Sequence, residues 1–414
     1  MKTVLPEEWS PPLVVIAGMG MVGEYHHIPQ ELENWLKRAE VIVCGESFLP
    51  LANQFDSEKI IIKSPLTSII NQVKQLSQTR RVLIMTSGDP LFYGIGRQIG
   101  EGIGRDQLIV LPNVTSLQYL FSKLALPWDD VIPFSLHKED RRDFFYWLRL
   151  GRKVAILTSP GRSPSFIAEL LEHHLMNEMV DVIIGENLGT ARERISKVTP
   201  REAASRHWEF PNIVAILPKV AVEKTGGFLA ENEFLHDRGM ITKREVRALV
   251  LSALKLRPGD VLWDVGAGSG SVSIEACYRV PLRAVHAIER NPNRYEQLKA
   301  NICNFHCGEI TPHLGEATEI IDKLPTPDRI FIGGSGKDLG TIIEAVLKRF
   351  GKGKMPLIVI SAVLWDSVNE AIKTAQTHSI HASLMHIQIA RSVPLGESFR
   401  FEPLSPVFLI TLEP

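Results

Sequence analysis

The sequence predicts an α/β protein made of two unlike units joined by a short linker, and three observations carry that expectation. Short, continuous apolar runs alternate with amphipathic stretches along the 414 residues, the pattern of buried strands covered by helices on both faces. A glycine turn follows the first strand of each half, Gly18-Met19-Gly20 and Gly266-Ala267-Gly268-Ser269-Gly270. Between Lys219 and Gly239 the periodicity fades through a stretch holding Gly226-Gly227 and several acids. A chain this long is roughly two to three typical domains. The expected division is therefore 1–222, a linker over 223–238, and 239–414.

In order, the first half offers buried strands at Leu13 to Ala17, Val41 to Cys44, Val82 to Met85 and Leu108 to Leu111. Val154 to Leu157, Val180 to Ile184 and Ile213 to Leu217 complete it. The second half opens with a helix from Lys243 to Leu256 and a strand from Val261 to Trp263. The helix Ser271 to Tyr278, the strand Ala284 to Ile288 and the helix Pro292 to Phe305 follow. Strands Arg329 to Ile332 and Leu357 to Ile360 come next, and Val407 to Thr411 closes the chain as an expected antiparallel edge. The glycine turns and downstream motifs of the halves do not align, so the chain reads as two different folds and not as a repeat.

Composition narrows the function. Forty-six Lys and Arg against 47 Asp and Glu leave a net charge of −1, which argues against nucleic acid or an anionic membrane as the main partner. No apolar run reaches the length that spans a bilayer, and the first eight residues carry acid where a secretory signal has an apolar core. Four scattered cysteines, Cys44, Cys277, Cys303 and Cys307, do not make a disulfide framework. The expectation is a reduced, cytoplasmic protein. Cys303 and Cys307 with His306 and His313 do not have zinc-knuckle spacing, so no metal is expected.

In the second half, Asp264-Val265-Gly266-Ala267-Gly268-Ser269-Gly270 joins a buried strand to a helix, and Glu289 ends the next strand. Glycines there let the backbone approach a ligand, and a carboxylate at that strand end accepts hydrogen bonds from both ribose hydroxyls. A dinucleotide enzyme is the rival, but its third glycine comes one residue later. The shorter G-x-G-x-G spacing led by an acid is that of S-adenosylmethionine (SAM) methyltransferases. Gly333-Gly334-Ser335-Gly336 leaves the fourth strand where methyltransferases of DNA bases carry an Asn/Asp-Pro-Pro-aromatic motif.

With Gly239 to Arg247, Gly315-Glu316-Ala317 and Ile389-Ala390-Arg391-Ser392, this half resembles the decarboxylating precorrin methyltransferases of cobalamin biosynthesis. The spacing itself points to Gly266, Ala267, Gly268, Ser269, Gly270 and Glu289 as SAM contacts. The resemblance adds Thr242 and Ala317. It also implies a substrate mouth at Gly333, Gly334, Ser335 and Gly336, with Arg391 pairing a substrate carboxylate.

In the first half, Thr86-Ser87-Gly88-Asp89-Pro90 follows a strand, and read alone it is a structural turn. Taken with Pro112-Asn113-Val114-Thr115-Ser116, Thr158 and Glu186 to Ile195, it resembles the tetrapyrrole methylase superfamily, whose SAM lies between two α/β lobes. The resemblance implies cofactor contacts at Gly18, Gly20, Ser87, Gly88, Asp89, Thr115, Ser116 and Thr158. Two departures stand out. Met21-Val22 replaces the usual Pro-Gly, and Asn113 stands where the superfamily has glycine, asparagine being the residue most tolerant of a left-handed backbone after glycine.

The whole chain is thus similar to the fused precorrin C5,15-methyltransferases, a two-lobed tetrapyrrole methylase joined to a Rossmann-like SAM methyltransferase. That family uses one SAM per unit, methylates C5 with the first and C15 with the second, and removes CO2 from the ring C acetate. Tetrapyrrole substrate and a homo-oligomer follow by analogy. The alternative is a C15 methyltransferase and decarboxylase whose first half only docks the corrinoid. The sequence identifies no general base: His26, His27, His173, His174 and His286 read as solvated or structural. Arg141, Arg142, Arg192 and Arg400 read as surface charge, while Arg194 is a secondary candidate beside Arg391.

Overall fold

The computed structural model describes residues 4–20, 29–137, 139–221, 227–237, 239–334, 338–351 and 355–413. The first sheet holds β1 (Val14–Gly18), β2 (Val41–Cys44), β3 (Glu58–Ile61), β4 (Val82–Thr86) and β5 (Leu108–Leu111), in the order β3-β2-β4-β1-β5. All of its pairings are parallel. Every residue of β1, β2 and β4 is buried, which is why these strands read as unbroken apolar runs.

The second sheet comprises β6 (Ile132–Ser135), β7 (Val154–Leu157), β8 (Val180–Glu186), β9 (Arg194–Val198) and β10 (Asn212–Pro218), in the order β6-β7-β10-β8-β9. Only β6 and β7 run parallel; the other pairings are antiparallel. The first half is therefore two lobes, one parallel and one mixed.

The third sheet orders its strands β13-β12-β11-β14-β15-β19-β16. Its members are β11 (Val261–Val265), β12 (Ala284–Glu289), β13 (Ile310–Leu314), β14 (Arg329–Gly333), β15 (Leu357–Ala362), β16 (His381–Ile387) and β19 (Val407–Glu413). The order reverses between β11 and β14, the switch point at whose carboxyl end open α/β sheets bind ligands. The closing strand β19 is not the expected edge: it lies antiparallel between β15 and β16, and β16 takes the edge. β16 is mostly exposed, so it lacks the apolar run that would have revealed it. A separate hairpin, β17 (Ala390–Leu395) and β18 (Ser398–Pro403), projects between them in sequence.

The expected linker is shorter than its assigned span. Leu229 and Phe234 are buried in the core of the second unit. Arg247, itself buried, donates to the Leu229 carbonyl and sits 3.5 Å from the buried Glu275. That charge pair draws the segment onto the domain; residues 222–226 and 238 lie outside the described residues.

The two halves are docked through a buried ion pair. Arg149 ends the helix Phe144–Arg149 and makes two bonds to Glu309, at 2.6 and 2.9 Å, with neither residue exposed. The guanidinium also donates to the carbonyls of His306 and Cys277 at 2.7 and 2.8 Å. Around it, His306 Nδ1 meets the His174 carbonyl at 2.8 Å. Phe145 fills the space over Gly308, where any Cβ would stand 2.2 Å from the ring. Residues 306–309 thus serve as docking surface, while His313 meets His286 within the second unit at 3.1 Å. Among the described residues no group of three or more His, Cys, Asp or Glu is arranged to hold a metal, and no helix is long and apolar enough to cross a membrane.

Candidate active sites

In the second unit the glycine loop leaves β11 with Gly266, Gly268 and Gly270 all at positive φ, between 56° and 77°. Gly266 is the tightest point: a Cβ there would stand 1.8 Å from the Gly333 carbonyl oxygen. The loops after β11 and β14 therefore touch at the switch point, which only glycine permits. Glu289, buried at the end of β12, accepts from the Gly268 amide through Oε2 and from the Asn291 amide through Oε1, both at 2.8 Å. It fixes the loop and still has lone pairs for a ribose.

Two cavities meet at this loop. One, of about 490 Å3, is lined by Gly266, Glu289, Ala317 and Gly334 among others. The second, of about 410 Å3, is lined by Thr242, the Gly266 to Ser269 backbone, Gly333 and Gly334. Gly270 lines neither. It caps the helix Ser271–Arg279 with φ 77° and packs against Leu298. Ser335 and Gly336 lie outside the described residues.

Behind the loop, Asp264 is fully buried and accepts from the Ser273 hydroxyl at 2.5 Å, while its Oδ1 has no hydrogen-bond partner. Burial, helped by the Glu289 charge, pushes its pKa up to about 6.

Arg391 is committed elsewhere. Its guanidinium holds Glu245 at 2.5 Å and Glu231 at 2.7 Å, and it lines neither cavity. These bonds hold the Glu231 carboxyl at about 2, well below its usual value. Two carboxylates already neutralise this arginine. The arginine that does line both cavities is Arg294, on the helix Pro292–Asn304, where it contacts Met240 Sδ at 3.3 Å. Its position in the first turn of an ordinary-looking helix carried no signal in the sequence.

In the first unit a cavity of about 430 Å3 opens between the two lobes. Ser87, Gly88, Asp89, Thr115, Ser116 and Thr158 all line it, from β4 and β5 on one side and β7 on the other. Thr115 caps the helix Ser116–Lys123, with its hydroxyl accepting from the Gln118 amide at 3.2 Å. Thr158 donates to the Asn212 carbonyl at 3.0 Å and so ties β7 to β10.

Gly18 and Gly20 do not line this cavity. A Cβ on Gly18 would stand 2.1 Å from the Gly88 carbonyl oxygen, and one on Gly20 2.7 Å from the Asn113 side chain. These glycines support the loops that form the cavity. Asn113 is not among the left-handed residues. It acts through its side chain, donating to the Gly18 carbonyl at 2.9 Å and accepting from the Val114 amide at 2.8 Å. Met21 and Val22 lie outside the described residues. Among residues the sequence did not single out, Tyr93 and His137 line the cavity from opposite lobes.

Residues 13–204 match the tetrapyrrole (corrin/porphyrin) methylases, and residues 232–413 match the precorrin methyltransferase domain. A precorrin-6Y C(5,15)-methyltransferase (decarboxylating) of Sinorhizobium sp is 32% identical over 404 residues, 96% of this chain and 95% of that protein. The chain belongs to the precorrin-6Y C(5,15)-methyltransferase (decarboxylating) family. A member from Mycobacterium tuberculosis is 28% identical over 95% of this chain and 98% of its own length. The cobalt-precorrin-6B C(15)-methyltransferase (decarboxylating) of Salmonella typhimurium is 37% identical over 42% of this chain and 88% of its own. A crystal structure of a precorrin-6Y C5,15-methyltransferase from Geobacter metallireducens is 36% identical and covers 45% of this chain and 96% of that one, with a TM-score of 0.42. Membership in the precorrin-6Y family makes the chain a methyltransferase with two methylase domains, and the resemblance read from its motifs holds across both halves.

Proposed function

We propose that the chain methylates a precorrin at C5 and C15, using one SAM in each unit, and decarboxylates the ring C acetate in the second unit. The observation that carries this reading is the presence of a separate cavity at the strand carboxyl ends of each methylase domain. The residues fit the cofactor. The Gly266 cradle, which a Cβ would fill, and the buried Glu289 suit an adenosyl group; Ser87, Asp89, Thr115 and Thr158 supply polar contacts in the other cleft. SAM supplies a methyl group already activated on a sulfonium.

The chain's task is then to hold the acceptor carbon in line and exclude water, and orientation of that kind is worth roughly 7–11 kcal/mol. Glu289 fixes the ribose end, and the Gly333-Gly334 backbone lines the cavity without presenting a side chain to a flat ring beside the methyl group. Arg294, at the junction of the two cavities, takes over the substrate-carboxylate role expected of Arg391. The exposed hairpin supports a homo-oligomer, the four free cysteines support a reduced, cytoplasmic setting, and the near-neutral charge supports the absence of a nucleic-acid partner.

Mass spectrometry of the ring product after incubation with precorrin-6B and methyl-labelled SAM tests the reading. The expected product has gained two labelled methyls and lost one CO2. One methyl with CO2 loss would instead make the first unit a docking domain.

A further inference from the structure

The cavity of the first unit is lined by one imidazole that no side chain among the described residues engages. His137 lies just after β6, on the lobe opposite the Ser87-Gly88-Asp89 turn, and lines the same cleft as Tyr93 and Phe210. Among the described residues its imidazole has no hydrogen-bond or ion-pair partner; only its backbone amide is engaged, by Ser135 Oγ at 3.5 Å.

Two other titratable groups, Asp89 and Tyr93, stand on the cleft wall. Asp89 accepts from the Leu91 amide at 2.7 Å, and Tyr93 donates its hydroxyl proton to the Pro133 carbonyl at 2.8 Å. Burial raises the Tyr93 pKa, so that phenol is no base near neutrality. The nearby cations are also held: Arg162 donates to the Leu136 carbonyl at 3.0 Å, and Arg141 is paired with Asp143 at 2.5 Å. His137 is exposed where it lines the cleft, and partial desolvation lowers its pKa from the ordinary value, which favours the neutral ring that can accept a proton.

Methyl transfer to a meso carbon creates the need for such an acceptor. The ring's C5 attacks the methyl carbon, the new C–C bond forms, and the sulfonium S–C bond breaks to release S-adenosylhomocysteine. C5 then carries both methyl and hydrogen, and the conjugated ring carries the positive charge. Loss of the C5 proton returns the electron pair of that C–H bond to the ring and restores conjugation. The proton must go to a base on the cleft wall.

We propose that His137 is the catalytic base that removes the C5 proton in the first unit. This rests on the reading that the first unit methylates C5. The second unit provides an internal control within the same chain, because it has its own cavities and none of them is lined by His137.

The experiment uses the full chain with precorrin-6B and methyl-labelled SAM under single turnover, with both methyl positions resolved by mass spectrometry. In His137→Gln the C5 methyl is expected to appear about a hundredfold more slowly, a common loss for a general base. C15 methylation and CO2 release stay at the wild-type rate, and S-adenosylhomocysteine binding by calorimetry stays within twofold. Added imidazole is expected to restore part of the C5 rate in His137→Ala, which a purely structural role would not allow. C5 methylation within threefold of wild type in His137→Gln, or absence of imidazole rescue, overturns the assignment. A parallel loss of S-adenosylhomocysteine binding makes His137 a positioning residue and also overturns it. A wild-type chain that methylates only C15 overturns the reading of the first unit, and this assignment falls with it.

Discussion

Glu289 carries two duties on one carboxylate, tying down the glycine loop through the Gly268 amide and facing the cavity where a ribose would lie. Charge-assisted hydrogen bonds of that kind are worth about 1.5–3 kcal/mol. Glu289→Gln is therefore expected to weaken S-adenosylhomocysteine binding to the second unit roughly ten- to hundredfold, as read by calorimetry with two resolved sites. Asp264 gives a pH signature. Its folded pKa, about 6, lies above the value of about 3.9 for an unfolded Asp. Its contribution to stability is thus present at low pH and lost as pH rises from about 4 through 6. Asp264→Asn should gain melting temperature relative to wild type at pH 8 and lose that gain by pH 4; an equal difference at both pH values would mean the carboxyl is not desolvated. The glycine loop and Glu289 were legible because the chemistry of close approach restricts residue type. Arg294 and His137 were not, since an arginine in a helix and a histidine after a strand are common and gain meaning only when folding brings them to a cavity.

At the scale of elements, the β17–β18 hairpin forms a separate two-stranded sheet, tied to the second unit through Arg391. Phe399 and Phe401, two residues apart on β18, share one face and are 68% and 73% exposed. Pro394 and Ser392 stand opposite them. Two adjacent, exposed aromatic rings on one face of the ribbon form the patch through which the proposed homo-oligomer would associate. In sedimentation experiments, Phe399→Ser with Phe401→Ser is expected to shift the protein toward monomer while both methylation sites remain folded. An unchanged sedimentation coefficient would place the contact elsewhere. The parallel strands β1, β2, β4, β11, β12, β14 and β15 could be read from sequence because burial on both faces leaves a continuous apolar run, and the half-buried edge strand β5 because it is apolar throughout. β3, β9, β16 and the hairpin could not. They are partly or largely exposed, so their alternation blends into that of loops. The mixed pairing of the second sheet was hidden for a related reason: β8 and β10 are as buried as parallel strands, and apolarity does not encode direction.

The molecule as a whole depends on how its halves meet. Removing one partner of a buried ion pair typically costs about 3–5 kcal/mol, whereas replacing both by apolar groups is often neutral or better. Arg149→Ala should accordingly lower the melting temperature strongly, and Arg149→Met with Glu309→Met should recover most of it. Failure of the double variant to recover would show that the carbonyls of His306 and Cys277, which Arg149 also serves, matter more than the charge. The same junction bears on gene architecture. If the chain were severed within residues 222–226, the two fragments should still co-purify, because Arg149 and Glu309 satisfy each other across the cut. Neither fragment would be a ready-made independent enzyme. One would carry a stranded guanidinium on an open face and the other a stranded carboxylate, so turning this fusion into two free-standing proteins requires new surface residues at that face as well as a new stop and start.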